Sequence, residues 1–443
     1  MASESALQPF TEQYQALVNA QALPGHALPW LQNLREEGIR RFNELGFPTP
    51  KVESWKYTNL RALERTVFHP ATEHTAGVSI DSVPSLIGEK AGHRAVFVNG
   101  RFRDELSNLG TLPKGAEVMS FAEALKRDPQ FLGSRVDQIA KGQEDQPLYQ
   151  LNSALMQDGL VLRVREGAKI EHPIEAVFLS LAEDEPLAFH PRHLIVMENG
   201  SEATLVEYHV SLGDGTTFAN AATEIDVGDG ARLHHYKLQN ESDKAFHVHT
   251  LHGRVGEKAL YDGFGLSIGS KLSRNELSLR LEGSFADARV NGSYLMRGKQ
   301  HCDNTTLIEH CVPDTSCCEI FKGALTDKGR GVFQGKLHVH PDAQRTDGYQ
   351  LSRALLLSDE AEVDAKPELE IYADDVKCSH GSTAGSLDET ALFYLRSRGI
   401  PYAAARRLLV ESFLGEVVEQ MISEDLQGAF MERISEWLDR STT

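Results

Sequence analysis

The sequence has no stretch of about 18 consecutive apolar residues, so no membrane-crossing helix is expected. Cysteine is scarce: five in 443 residues, an odd number in a long chain, which does not read as a disulfide framework. Tryptophan is scarcer still, and three residues leave few platforms on which a polysaccharide could stack. Basic side chains are in the minority, 45 Lys and Arg against 64 Asp and Glu, for a net charge of −19. That sign argues against a nucleic acid or an anionic membrane as partner, since either needs a basic face. The first residues, MASESALQPFTEQYQ, are polar and acidic and lack the basic and apolar regions of a secretory signal. The expected compartment is the cytoplasm.

An apolar content of 41% and a charged content of 25% are ordinary for a globular protein, and the length suggests two or three structural units. Leu7, Phe10, Tyr14, Leu17 and Val18 recur at helical spacing. Trp30, Leu34, Ile39, Phe42 and Leu45 form a second stripe, with Gly46 placed to end it. GFPTPKVESWKYTNL then requires an extended path because of Pro48 and Pro50. Residues 95–100 look like a strand entering a turn, and 120–140 look helical.

From about Leu160 the texture changes to apolar alternation lasting some two hundred residues. It is punctuated by Glu166-Gly167, Asn199-Gly200, Asp229-Gly230, Gly256-Glu257, Glu282-Gly283 and Lys328-Gly329. The phrases LVLRVREGAKI, HLIVMENGSEATL, EIDVGDGARL and LSLRLEGSFADARV echo one another, with turns roughly thirty residues apart. Such recurrence suits a β-solenoid, whose coils bury their faces only by stacking. A β-sandwich or jelly roll is the alternative. After Ser386 the pattern is helical again, with Ser386 and Glu389 spaced as a capping box. Leu409, Phe413, Val417 and Met421 make one stripe, and Leu426, Phe430, Ile434 and Leu438 another. The expected division is 1–150 helical and mixed, 151–385 β-helix, and 386–443 a helical bundle.

Residues Gly331 to Leu337 superficially suggest a phosphate-binding loop, but the spacing is one short and Leu337 replaces the magnesium-binding hydroxyl. ATP hydrolysis by this chain is not expected. His247/His249 and His338/His340 form His-x-His pairs that would share a strand face. They raise the alternative of a metal-dependent β-solenoid or cupin-like enzyme, although the glutamate of a cupin site is missing. Cys302, Cys311, Cys317 and Cys318 match no zinc or ferredoxin spacing and read as structural. In ADDVKCSHGST, Cys378 and His380 are two apart beside Asp374 and Asp375, a thiol and an imidazole suited to iron, zinc or an iron–sulfur cluster.

The segment from Ala343 to Ile400, which contains the CSHGST phrase, resembles the signature stretch of the SufB/SufD family of iron–sulfur cluster assembly proteins. GRGVFQGKLHV at 329–339 and GFPTPKVESWKYT at 46–58 are similar to the family as well, in the family's order. CSHGST stands where SufB-type chains carry an EHEAT-like phrase, and Gln350-Leu351 stands near where they carry a cysteine, so the SufD type is the closer likeness. The resemblance implies a mainly β protein: a right-handed parallel β-helix core flanked by N-terminal and C-terminal helical parts. It implies a non-catalytic scaffold subunit that pairs with SufB through its core and docks the SufC ATPase through its C-terminal helices, supporting iron acquisition. It also implies that His380, with Cys378 a weaker second, helps hold iron or a transient cluster at the SufB interface. Asp374 and Asp375, adjacent along the chain, are expected to orient the imidazole. No stably bound cofactor is expected, and a homodimer is an expectation for the isolated chain.

Overall fold

The computed structural model describes residues 4–71, 78–141, 145–182 and 185–440; the outermost residues of the expected end units lie outside these. Its centre is a parallel β-solenoid of about eight coils. Successive strands alternate between two sheets, so each coil contributes one strand to each. Sheet I runs from Leu160–Val164 through Arg192–Met197, Thr217–Val227, Phe246–Val255, Leu272–Leu281, His301–His310 and Arg330–Val339 to Glu362–Ile371. Sheet II runs from His93–Val98 through Ile174–Ser180, Glu202–Ser211, Arg232–Asn240, Leu260–Ser267, Asp287–Met296, Ser316–Leu325 and Asp347–Leu356 to Lys377–Gly385. Register is continuous: Leu272 lies beside His301, and His301 beside Arg330, a step of 29 residues. The recurring phrases of the sequence are these coils.

One corner of the solenoid is built from the recurring turns. Gly200 donates its backbone N–H to the Asp229 carbonyl at 2.8 Å, and Gly230 to the Glu257 carbonyl at 2.7 Å, stacking turn upon turn. The Asn199 and Asp229 side chains accept from the backbone of the next turn, Asp229 N–H at 3.0 Å and Glu257 N–H at 2.8 Å. Lys328-Gly329 sits at the opposite corner, bonded to Gly298 and Thr326. The repeat seen in the sequence therefore mixes two corners of one coil.

Alternation divides the side chains into an inner and an outer set. Leu205, Ile225, Leu233, Leu251, Leu279, Val290 and Ile308 from both sheets meet inside. The outer face of sheet I is covered by helices Glu4–Asn19, Pro29–Leu45 and Pro147–Leu155. Phe10, Phe42, Phe47 and Leu151 pack there on Phe218, Phe246 and Val248. Val18 and Leu45, expected on the apolar faces of their helices, are exposed instead. The loop carrying Trp55 is fastened by charge: the Arg274 guanidinium lies 3.9 Å from the Trp55 ring and donates to the Ser54 carbonyl at 2.8 Å. Buried Arg274 is in turn paired with Asp303 and Glu276.

Helices Tyr402–Val418 and Glu424–Arg440 cover the outer face of sheet II, where Val410, Leu414, Phe430 and Ile434 pack on Val206, Tyr236 and Phe264. Of the expected stripe along Tyr402–Val418 and just past its end, Val417 and Met421 are buried but Leu409 and Phe413 are half-buried, and Ala405, Val410, Leu414 and Val418 complete the buried side. The preceding helix, Glu389–Ser397, is capped by Asp388, which accepts from Thr390 N–H at 2.8 Å, not by Ser386. An aspartate one residue from the helix start reaches the free N–H groups that Ser386 is too far back to meet. These helices are a lid on an apolar sheet face, so removing residues 386–443 would expose that face as well as delete a surface. Phe430 anchors the lid against Tyr236 and Phe264, with ring centroids at 6.4 and 5.2 Å. Phe430→Ala is expected to cost roughly 3–5 kcal/mol in urea denaturation, the usual range for a buried phenylalanine.

Candidate functional site

The two most singular sequence residues, Cys378 and His380, fall on Lys377–Gly385, the last strand of sheet II. Among the described residues this strand has one neighbour, Asp347–Leu356, and its other edge is free. Register places Cys378 beside Gly348 and His380 beside Gln350, which in turn lie beside Cys317 and Glu319. Two columns thus run from the open end into the interior.

The first column is made of thiols. Gly348 has no side chain, and a Cβ there would lie 3.3 Å from the Cys378 sulfur and 3.7 Å from that of Cys317. The Leu337 side chain closes the same space, 3.2 Å from that position. Behind them, His310 Nε2 lies 3.2 Å from Cys317 Sγ. Burial raises both thiols above the usual cysteine range, so each is protonated near neutrality and would release a proton on binding a metal.

The second column is His380, Gln350 and Glu319. His380 is exposed, whereas Gln350 and Glu319 are fully buried. Gln350 donates to Glu319 Oε2 at 2.6 Å, and its own amide oxygen has no partner among the described residues. The Gln350 amide occupies space that a Cβ at Gly335 would fill, at 2.3 Å, which explains a glycine within the GRGVFQGKLHV strand. Burial pushes the Glu319 carboxyl up to about 7. Asp374 and Asp375 lie in the corner before the strand, and no hydrogen bond joins either to His380 among the described residues. The expectation that they orient the imidazole does not hold. Adjacency in sequence is lost at the corner, where the Asp375 N–H instead bonds the Gln344 side chain at 2.9 Å.

The remaining histidines and cysteines do not converge on this end. His247 and His249 point inward, deeper in the solenoid, and flank the ammonium of Lys237. Lys237 donates to His247 Nε2 at 2.9 Å, His249 Nδ1 at 2.8 Å and Asn275 Oδ1 at 3.0 Å. The ammonium fills the place a metal ion would take, and burial brings its pKa down to about 8. Glu207 accepts from His209 and His235 at 2.9 and 3.0 Å, and Glu241 lies 2.8 Å from His247 Nδ1. This cluster is closed on itself, as structural histidines are. Cys302 is fully buried, and burial pushes its thiol up to about 11. Cys311 and Cys318 are half-buried and away from Cys378. His338 and His340 lie on sheet I, and their ring neighbour is Tyr372. Gly331 to Leu337 forms part of the extended strand Arg330–Val339, so its N–H groups serve the sheet and cannot cradle phosphate.

Reading the sequence missed Glu319 and Gln350. Their signal was parity: Glu319 alternates with Cys317 and Phe321, a charged group on an otherwise inward set.

Two family descriptions match the chain: the SufBD protein N-terminal region over residues 5–176, and the SufBD core domain of SUF-system FeS cluster assembly over residues 178–413. A SufBD family iron–sulfur cluster assembly protein of Synechocystis is 30% identical over 96% of this chain and 95% of its own. The iron–sulfur cluster assembly protein SufD of Escherichia coli is 32% identical, over 91% and 92%. The SufD of Bacillus subtilis is 27% identical, over 90% and 92%.

Glu319 yields a test of the buried column. Its folded pKa of about 7 lies above the unfolded value of 4.5, so its contribution is complete below 4.5 and is lost as pH rises through 7. Wild type should therefore lose roughly 3 kcal/mol relative to Glu319→Gln between pH 4.5 and 8, measured by urea denaturation at each pH.

Proposed function

The chain belongs to the SufBD family of SUF-system iron–sulfur cluster assembly proteins, and we propose that it serves there as a SufD-type, non-catalytic subunit. In this reading the open end of the solenoid pairs with a SufB-type solenoid. His380, with Cys378 beside it, contributes to holding iron or a nascent cluster at that junction, and the complex supports iron acquisition. The observation that carries the reading is the open end itself. Glu362–Ile371 and Lys377–Gly385 each end a sheet with a free edge, and an unpaired edge is a template for another chain's strands. An imidazole and a thiol on that edge supply two borderline-to-soft ligands, too few for a closed site, and a partner would complete the set.

Docking of a SufC-type ATPase is assigned to the C-terminal helices. Helices Tyr402–Val418 and Glu424–Arg440 spend their apolar faces on sheet II, but Phe393, Tyr394 and Tyr402 are 74%, 58% and 53% exposed. Phe393 and Tyr394 lie on the short helix Glu389–Ser397 and Tyr402 begins the next, and exposed aromatic side chains are among those that dominate protein interfaces.

Two experiments test the assignment in cells producing all three subunits. His380→Ala should leave the copurified complex intact while lowering its iron and cluster content severalfold. Loss of the complex would make His380 a structural residue, and an unchanged cluster yield would remove it from the site. Phe393→Asp should weaken SufC capture roughly thirtyfold, the equivalent of about 2 kcal/mol, with thermal stability unchanged. Undiminished capture would place the ATPase elsewhere.

A further inference from the structure

We propose that Glu309, His338 and His340 form a binding site for a divalent first-row transition-metal ion on the outer face of sheet I. Register creates the grouping. Glu309 on His301–His310 lies beside His338 on Arg330–Val339, and His340 follows two residues later, just past the strand end. One ligand atom from each of the three side chains lies within 4.8 Å of the others. The two imidazoles are stacked, with centroids 4.6 Å apart and planes 19° from parallel.

The contact between His340 Nε2 and Glu309 Oε1 is 3.4 Å. That is longer than the usual 2.7–3.2 Å of an N–H···O bond. It is close to the edge of a tetrahedron with 2.0–2.1 Å metal–ligand bonds, about 3.3 Å. The second oxygens are engaged elsewhere. Arg280 Nε lies 3.7 Å from Glu309 Oε2, which leaves Oε1 free as a single donor. Beside His338, Lys336 binds Glu370 Oε1 at 2.6 Å, while Glu370 Oε2 faces His338 Nδ1 at 3.8 Å.

Two imidazole nitrogens and one carboxylate oxygen are borderline donors that suit Fe²⁺, Co²⁺, Ni²⁺ or Zn²⁺ over Mg²⁺ and Ca²⁺. The side chains of Glu309, His338 and His340 are 19%, 27% and 35% exposed, so a fourth position faces solvent. Three protein ligands and an open position describe an exchangeable site, unlike a closed structural one. It lies on the sheet opposite to that of His380 and does not depend on the function proposed for that residue.

The test is titration of the full chain with Co²⁺, read by its visible ligand-field absorption, and with Zn²⁺ by calorimetry, in excess Mg²⁺. Wild type should bind one ion saturably. His340→Ala should weaken binding tenfold or more and abolish the tetrahedral Co²⁺ band; Glu309→Gln, which preserves size, should weaken it as well. His380→Ala should bind as wild type does. All three variants should keep the wild-type melting temperature, because the altered groups are at the surface. Absence of saturable binding, unchanged binding in the His340 and Glu309 variants, or loss of binding in His380→Ala would each overturn the proposal.

Discussion

Parallel, residue-for-residue stacking of coils is the constraint from which the rest follows. Each coil satisfies its backbone groups only through the coils above and below it, because parallel strands bond their neighbours and not themselves. Coils need not be equally long. The step from Phe246 to Leu272 is shorter than that from Arg330 to Glu362, and the corners absorb the difference. What cannot vary is alignment, since a slip of one residue would turn every inward side chain outward. The stack is finished at one end, where Ala116–Ser120 and Arg101–Phe102 pair antiparallel with their neighbours and helices lie alongside. At the other end nothing comparable among the described residues covers the last coil, whose residues are largely half-buried or exposed.

Register also governs the polar groups inside. A buried charge finds its partner two residues along its own strand, in the next coil or across the interior, because its immediate strand neighbours point outward. Glu207 takes His235 from the next coil of sheet II, and Lys237 reaches across to His249 on sheet I. Glu319 is met by the neutral amide of Gln350, and burial pushes its carboxyl towards the protonated form. The interior is polar where it is closed by pairs, and incompletely paired towards the open end. The same rule acts on the outer face, where Glu309, His338 and Glu370 are aligned in three successive coils.

Much of this was legible in the sequence. Echoing turn phrases and alternation yield a solenoid, and the CSHGST, GRGVFQGKLHV and GFPTPKVESWKYT segments identify the family. The last of these explains itself only in three dimensions, as the loop whose Ser54 carbonyl binds both Arg274 and Gln334, at 2.8 and 3.0 Å. What failed was local. Helix Tyr402–Val418 is pressed between sheet II and its neighbouring helix, so a single four-residue stripe could not describe its buried side. Asp374 and Asp375 were assigned to His380 by proximity along the chain, which a corner cancels. Glu319 and its contact with Gln350 were missed: alternation carries the inward position of Glu319, but the partner's identity depends on coil length.

The open end leaves the last strand of each sheet with one unpaired edge among the described residues. Nine and ten residues of unpaired edge are long enough to recruit strands indiscriminately, and natural edges are usually blunted. Here the blunting is uneven. Glu362–Ile371 carries Glu362, Asp364, Lys366, Glu368 and Glu370 along one face and holds Pro367, tolerated because one side of that strand has no neighbour. Lys377–Gly385 has one charged residue, at its start, followed by Cys378, Ser379, His380 and small side chains. The less protected edge is therefore the one that bears the thiol and the imidazole. Backbone pairing there would align a partner's side chains with Cys378 and His380 by the same register that aligns Gly348 and Gln350 beneath them. A ligand set divided between two chains needs such an alignment, and a parallel edge supplies it without any further device.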